Sequence, residues 1–216
     1  MTAVVSPHAF APEALEARAA AILTLVAPDG AIRPDSRGDH DLIPDMRPGP
    51  GQQLRRAAVL IPVLARPGEA SVLLTRRASH LRDHSGQVAF PGGKMDPGED
   101  PLTAALREAR EEIGLASTAV RPLGYLDPYL SGTGFHITPV LAIVDPGAPL
   151  IVNSDEVEIV FEVPLAFLMS PGNHETHSGE WRGKVRQYYA MPFGDHYIWG
   201  ATAGILRNMY ERLYAP

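Results

Sequence analysis

The stretch of sequence that decides the fold reads GGKMDPGEDPLTAALREAREEIGL and spans residues 92–115. Asp100 followed by Pro101 predicts the start of a helix, because an Asp side chain caps free backbone N–H groups and Pro fits the first helical position. Gly114 predicts the end of the helix in a left-handed conformation. The apolar side recurs at helical spacing and consists of Leu102, Leu106, Ala109 and Ile113. We therefore expect one side of the helix to pack and the opposite side to face a cleft.

Three glutamates lie at positions i, i+3 and i+4 of this helix: Glu108, Glu111 and Glu112. A helix rich in Glu and Arg is usually a solvated face with ion pairs one turn apart. Here three like charges come close together, which is unfavourable unless a counterion lies among them. Mg²⁺ prefers oxygen ligands and often shares its shell with substrate phosphates. Together with the tight turn that Pro91-Gly92-Gly93 permits, the cluster predicts a divalent-metal site.

Composition and charge exclude several classes of protein. The chain has 216 residues, enough for the core of one good-sized domain, whereas two would be tight. A net charge of −6 argues against a broad basic surface, so we expect no nucleic-acid partner. The absence of cysteine excludes disulfides, thiolate nucleophiles and cysteine zinc sites. We find neither an apolar stretch of bilayer length nor a basic leader, and we expect a cytoplasmic protein without a membrane partner.

The remaining pattern divides the chain near residue 54. We expect residues 1–54 to form an N-terminal amphipathic surface helix over 12–26 and a Pro- and Gly-rich connecting segment over 28–54, and residues 55–216 to form the main domain. Apolar runs predict strands at 57–65, 71–76, 87–93, 120–130, 135–145, 156–165 and 183–193, and helical patterns predict helices at 101–115, through Met169 and at 199–214. Strands on both sides of a central helix indicate an α/β fold with a mixed sheet.

The spacing around the central helix also resembles a known motif. Gly93, five residues, Glu99, seven residues and then REAREEIGL (107–115) match the Nudix box, G-x5-E-x7-R-E-U-x-E-E-x-G-U, where U is apolar. The resemblance to the Nudix hydrolase family implies an α/β/α sandwich with a mixed β-sheet and a loop-helix-loop catalytic motif. It also implies hydrolysis of a nucleoside diphosphate joined to another group, with Mg²⁺ or Mn²⁺ as cofactor.

The resemblance assigns metal ligands within the box. It implies that Glu108 and Glu112 are the principal ligands and that Glu111 assists at the metal or acts on water. The backbone carbonyl of Gly92 is a further candidate ligand. The number of metal ions is left open.

The resemblance also implies supporting residues and a candidate general base. Arg107 and Glu99 look like an ion pair that orients the loop and the helix, with Gly93 as structural support of the turn. A general base must reach the attacking water, and Glu111 is one candidate. Glu156 is the other, because families of this fold often use a glutamate from a later loop. A solvated acid at the end of a turn is the competing interpretation of Glu156.

Upstream of the box, LLTRRASHLRDHSGQVAFPGG (73–93) is similar to the coenzyme A pyrophosphatase signature, L-L-T-x-R-[SA]-x3-R-x3-G-x3-F-P-G-G, and residues 198–206 also resemble that branch. The implied reaction converts coenzyme A or an acyl-CoA and water to 3′,5′-ADP and (acyl-)4′-phosphopantetheine. Segment 76–84 carries an excess of cations, and an Arg fork suits phosphate. Arg77 and Arg82 are therefore the candidate substrate-binding residues, with a solvated loop as the alternative.

Three other functions compete with this interpretation. One is hydrolysis of ADP-ribose or another nucleoside diphosphate derivative. A second is a non-catalytic Nudix-fold ligand sensor, although the chain keeps all three glutamates and shows no helix-turn-helix extension. A third, isomerisation of an isoprenoid diphosphate, is disfavoured because that chemistry commonly relies on cysteine. The sequence leaves the oligomeric state open, with a homodimer as one candidate.

Overall fold

The computed structural model describes residues 7–49, 51–80, 86–181 and 183–215. The helices are α1 (Pro12–Ile22), α2 (Pro101–Ile113), α3 (Leu165–Leu168) and α4 (Ala201–Leu213). The strands are β1 (Arg37–Gly38), β2 (Arg55–Leu64), β3 (Ser71–Arg77), β4 (Val88–Ala89), β5 (Gly92–Lys94), β6 (Val120–Tyr125), β7 (Tyr129–Ser131), β8 (Phe135–Val144), β9 (Val157–Pro164), β10 (Glu175–Trp181), β11 (Lys184–Phe193) and β12 (His196–Trp199). Short 3-10 turns lie at Pro7–Phe10, Asp39–Asp41, Pro44–Met46, Ser117–Ala119 and Pro171–Asn173.

A nine-stranded mixed sheet is the centre of the molecule. Its main path runs β1-β7-β8-β2-β3-β4, with β6 on β8, β5 on β2 and β9 on β3. The central pair, β2 and β8, is parallel along ten register positions, from Arg55 opposite Phe135 to Leu64 opposite Val144. Most other pairs are antiparallel. The predicted hairpin of β2 and β3 is present, but only Val63 and Leu64 pair within it, because β3 continues alongside β9.

Helices cover both faces of this sheet. Alternating side chains of β2 point to opposite faces, with Leu60 in one apolar cluster and Ile61 in the other. Helix α2 packs on the Leu60 face, and α1, α3 and α4 pack on the Ile61 face. The predicted α/β/α sandwich with a mixed sheet is therefore confirmed. In the described part of the chain no helix is both long and apolar enough to cross a membrane.

A second, three-stranded sheet lies on the Ile61 face and was only partly predicted. The strand predicted over 183–193 corresponds to β11, but β10 and β12 were missed. Both pair antiparallel with β11, and the buried side chains of Met191 and Ile198 join the core of that face. Strand β12 leads into α4, whose Thr202 hydroxyl donates to the carbonyl of Val88 at 3.0 Å. The second sheet thereby packs beside the strand that precedes the glycine turn.

The N-terminal elements differ from the prediction in two places. The helix predicted over 12–26 ends at Ile22, because the backbone adopts an extended conformation from Leu23. The carbonyl of Thr24 then accepts a hydrogen bond from the N–H of Tyr125 at the end of β6. The helix also packs into the core, with Leu15 fully buried. Within the predicted connecting segment 28–54, Asp39 accepts from the hydroxyl of Tyr129 at 2.6 Å. The division of the chain at residue 54 stays a prediction.

The strand predicted over 120–130 is also interrupted. It splits into β6 and β7 around Leu126, whose N–H donates to the carbonyl of Pro139 on β8. The neighbouring Pro128 has no N–H to donate to a strand ladder. Both pieces still pair with β8, so the error concerns continuity rather than position.

Candidate metal and diphosphate site

Helix α2 carries the candidate site, and its ends lie where the sequence predicts them. The Asp100 side chain accepts from the N–H groups of Leu102 and Thr103 at 3.0 and 3.1 Å. Gly114 ends the helix with φ of 68°, a left-handed conformation that glycine adopts without strain. The predicted apolar stripe needs a correction, because both of its leucines, Leu102 and Leu106, are only half-buried. The fully buried side chains are instead those of Ala104, Ala105, Ala109 and Ile113.

Glu112 lies on the buried side of α2, not on the cleft side with the other two glutamates as the sequence analysis expected. Only 3% of its surface is exposed. Its Oε2 accepts a hydrogen bond from the N–H of Gly92 at 3.3 Å, and its Oε1 lies 3.8 Å from Nη1 of Arg77. Burial raises the pKa of Glu112 to about 8, against the hydrogen bond from Gly92, and the charge of Glu108 adds to the increase. The structure thus places a buried carboxyl group directly at the glycine turn.

Glu108 is half-buried and lies against Gly93. A Cβ added to Gly93 would come within 2.5 Å of the Glu108 carboxylate, so only glycine allows this approach. Burial is the main cause that raises the pKa of Glu108, Arg107 opposes it, and the charges of Glu111 and Glu156 raise it further. The glycine turn and the helix therefore enclose two carboxylates that repel each other.

The predicted ion pair of Arg107 and Glu99 is present and is bidentate. Nε and Nη2 of Arg107 donate to the two Glu99 oxygens, each at 3.0 Å, and Nη2 also donates to the carbonyl of Lys94. This pairing, helped by a backbone N–H from Asp96, holds the pKa of Glu99 below its usual range. The Arg107 guanidinium thereby joins the loop before α2 to the helix itself.

Arg107 also neutralises two of the candidate metal ligands. Its Nη1 donates to Glu108 at 2.9 Å and to Glu111 at 3.1 Å. The Glu111 side chain is 54% exposed, in contrast to its two neighbours. Within the described ranges, no three His, Asp or Glu side chains are arranged closely enough to hold a metal ion. The physical reason is that Arg107 holds Glu108 and Glu111, while Glu112 is directed at Gly92 and Arg77.

The donor set nevertheless fits a divalent cation. Glu112 is buried and Glu108 is half-buried at the glycine turn, and burial together with the charges of neighbouring carboxylates raises the pKa values of both. A hard cation among carboxylate oxygens removes this repulsion without the loss of packing that a larger group would require. The sequence already predicted the residues Glu108, Glu111 and Glu112, and the structure brings the first and third together at Gly92 and Gly93.

Glu156 comes from a different loop, and its charge acts on both Glu108 and Glu112. Its charge contributes to the raised pKa values of both Glu108 and Glu112. Its backbone carbonyl accepts from the N–H of Ala78 at 2.9 Å, next to the candidate substrate residue Arg77. The backbone of Glu156 therefore lies next to the residue that follows Arg77, and Arg77 in turn faces Glu112.

Of the two candidate substrate residues, only Arg77 can be placed. Its Nη1 faces Glu112, and its buried Nε has no hydrogen-bond partner among the described residues. A buried guanidinium N–H without a partner is unfavourable and leaves a donor for an anionic ligand. Arg82 lies outside the described residues.

One residue of the site was missed by the sequence analysis. Asn153 contacts both Glu112 and Glu156, through its backbone and its side chain respectively. The motif NSDE (153–156) was noted only as the segment before Glu156. An Asn that opens such a turn is a known signal for local side-chain hydrogen bonds, which is the one clue the sequence offered.

Comparison with known proteins identifies the family. The model of the NUDIX domain matches residues 54–184. The chain belongs to the Nudix hydrolase family. Proteins named "Uncharacterized Nudix hydrolase NudL" from Yersinia pestis (strain Pestoides F) and Yersinia pseudotuberculosis (strain YPIII) are each 43% identical to it over 160 residues, which cover 74% of this chain and 80% of theirs. As a Nudix hydrolase the chain is an enzyme, and Nudix hydrolases generally use divalent metal ions.

Solved structures similar to this Nudix hydrolase include two bacterial proteins. One is a Nudix hydrolase from M. smegmatis, RenU, with a TM-score of 0.45 and 27% identity, covering 53% of this chain and 73% of that protein. The other is DR0079 from Deinococcus radiodurans, with a TM-score of 0.49 and 17% identity, covering 78% and 90%.

Proposed function

We propose that this Nudix hydrolase cleaves the diphosphate linkage of coenzyme A or an acyl-CoA, giving 3′,5′-ADP and (acyl-)4′-phosphopantetheine. The observation that carries the proposal is the meeting of Glu112, Glu156 and Arg77 at the glycine turn. The similarity of residues 73–93 to the coenzyme A pyrophosphatase signature supports the choice of substrate. A cytoplasmic location, and a homodimer as one candidate assembly, belong to the same proposal.

Glu108, Glu111, Glu112 and the carbonyl of Gly92 would hold the cofactor, Mg²⁺ or Mn²⁺. Such an ion neutralises non-bridging phosphate oxygens and lowers the pKa of bound water. The residues of the chain fix the arrangement, because the turn at Gly93 brings the loop against Glu108 and the N–H of Gly92 orients Glu112.

Glu156 is the general base in this proposal, with Glu111 as the second candidate. A base must reach the attacking water while the metal ligands stay bound, and Glu156 meets this requirement because it belongs to another loop. Arg107, which donates to both Glu108 and Glu111, keeps Glu111 beside the site.

Arg77 and Arg82 bind phosphate in this proposal. The buried Nε of Arg77 has no partner among the described residues, and a phosphate oxygen would supply one. Coenzyme A differs from dephospho-coenzyme A by its 3′-phosphate, to which the cation-rich segment 76–84 is suited.

Product analysis by mass spectrometry tests the proposal. The purified protein is incubated with Mg²⁺ or Mn²⁺ and with coenzyme A, acetyl-CoA, dephospho-coenzyme A or ADP-ribose. We expect 3′,5′-ADP from the first two substrates at the highest kcat/KM. Preferred cleavage of ADP-ribose would replace the substrate assignment, and binding without any product would favour the ligand sensor.

A further inference from the structure

Asn153 connects two acidic residues of the site. Its backbone N–H donates to the carbonyl of Glu112 at 2.9 Å, and its side-chain Nδ2 donates to Oε1 of Glu156 at 3.3 Å. Its own carbonyl accepts from the N–H groups of Glu156 and Val157, at 3.1 and 2.9 Å. One residue thus joins the loop of Glu156 to the last turn of α2.

The orientation of the Asn153 amide is fixed by a second bond. Its Oδ1 accepts from the N–H of Asp155 at 3.1 Å, as in a turn closed by an Asn side chain. Since Oδ1 is held in this way, Nδ2 is directed towards Glu156. Only an amide supplies both the acceptor for Asp155 and the donor for Glu156, because an Asp at this position would keep the turn and lose the donor.

The backbone of Glu156 is held independently of that amide. Its N–H donates to the carbonyl of Asn153, and its own carbonyl accepts from the N–H of Ala78, the residue that follows the strand ending at Arg77. What the backbone does not fix is the rotation of the Glu156 side chain, which is half-buried. Among the residues that the structure describes, the hydrogen bond from Nδ2 of Asn153 is the one that holds the Glu156 carboxylate.

We propose that Asn153 is a positioning residue, whose amide holds the Glu156 carboxylate in the orientation that accepts the proton of the attacking water. The inference rests on the proposed function, in which Glu156 is the general base. In that step the water oxygen forms a bond to phosphorus, one water proton goes to Glu156, and the bridging P–O bond breaks, so that the bridging oxygen leaves with the electron pair as part of the other phosphate product. With Oε1 engaged by Asn153, Oε2 takes the proton.

The test compares Asn153→Asp with Asn153→Ala in the wild-type and the Glu156→Gln backgrounds. Asn153→Asp keeps the acceptor for Asp155 and the backbone bonds, but it removes the donor and adds a negative charge, whereas Asn153→Ala removes the donor and the acceptor without adding charge. Asn173→Asp is the matched control, because the Asn173 amide donates to a backbone carbonyl, that of Phe167, away from the site. For each variant kcat and KM are measured with coenzyme A and Mg²⁺, and Tm is measured by circular dichroism.

We expect Asn153→Asp to lower kcat by about 10- to 100-fold, the usual loss for a residue that orients another, with KM and Tm close to those of the wild type. In the Glu156→Gln background the same change should cause no further loss, because no base is left to position. Asn173→Asp should leave kcat unchanged.

Several results would overturn the inference. An equal loss of kcat in both backgrounds, or an increase of KM with unchanged kcat, would contradict positioning of Glu156. A wild-type kcat in Asn153→Asp, with a large loss in Glu156→Gln, would refute the role of Asn153 and leave the base in place. A wild-type kcat in Glu156→Gln would instead refute the base in the proposed function.

Discussion

Replacement of Glu112 by Gln is expected to stabilise the metal-free protein while it abolishes activity. In the unfolded chain this carboxyl group titrates near 4.5, and burial raises its pKa to about 8 in the folded protein. Between these two pH values the folded state binds more protons than the unfolded state, so stability falls as pH rises. Each unit of pKa shift is worth about 1.36 kcal/mol, so above pH 8 the ionised Glu112 destabilises the folded state by at most about 5 kcal/mol.

A glutamine at position 112 removes this cost and keeps the local geometry, since its carbonyl can still accept from the N–H of Gly92. The free energy of unfolding is measured by urea denaturation between pH 4.5 and 8.5, with a chelator present. We expect the variant and the wild type to be nearly equal at the lowest pH. At pH 8 and above the free energy of unfolding of the variant should exceed that of the wild type by a few kcal/mol, with about 5 kcal/mol as the upper limit.

Two controls separate this effect from general changes in charge. Glu69→Gln removes one carboxylate from an exposed turn and should track the wild type at every pH. Saturating Mg²⁺ should reduce the gap between Glu112→Gln and the wild type at pH 8, because a ligand that binds only the folded state stabilises it. A gap that stays constant from pH 4.5 to 8.5 would show that Glu112 is not a buried, electrostatically destabilised group, and the reasoning about the site would be wrong.

Three further substitutions test the glycine turn, the ion pair of Arg107 with Glu99, and the binding of the substrate. Gly93→Ala should lower kcat about 100-fold, because the new Cβ would lie 2.5 Å from the Glu108 carboxylate and displace it. Gly172→Ala is the control, because it has open space around it and should leave kcat unchanged. A wild-type kcat in Gly93→Ala would refute the close approach of Gly93 and Glu108. Arg107→Lys should weaken Mg²⁺ binding about tenfold, as measured by calorimetry, because lysine cannot pair bidentately with Glu99. Arg110→Lys, on the exposed side of α2, is the control and should leave Mg²⁺ binding unchanged. Arg82→Ala should reduce kcat/KM about tenfold more for coenzyme A than for dephospho-coenzyme A, and equal losses would exclude a role at the 3′-phosphate.

Local signals explain why α2 was predicted so closely. The cap at Asp100, the proline after it and the glycine at position 114 act within one or two turns, so the sequence alone determines where the helix begins and ends. The same holds for β8 and β9, whose apolar runs match the observed strands within a residue or two. The order of these elements indicated an α/β fold with a mixed sheet, and the resemblance to the Nudix family implied its α/β/α layers.

Non-local pairing explains what was missed. Strand β10 reads ETHSGEW and has few of the residues that favour strands, so its extended conformation depends on pairing with β11. The burial of Glu112 depends in the same way on Gly92, twenty positions earlier in the chain. Helical spacing places the three glutamates near one another, but it does not show which of them the sheet covers.

Arg107 both supports the loop before α2 and compensates the negative charge of two glutamates. Nε and Nη2 of its guanidinium bind the loop at Glu99 and Lys94, whereas Nη1 alone serves Glu108 and Glu111. The structural and the electrostatic contacts therefore use different nitrogens of one rigid group. Loss of the Nη1 bonds would free the two carboxylates while Nε and Nη2 still hold the loop. A lysine has one nitrogen for all of these contacts and could not release the carboxylates without also releasing the loop. The position requires arginine because support of the loop and compensation of the carboxylates are separable only on a planar guanidinium.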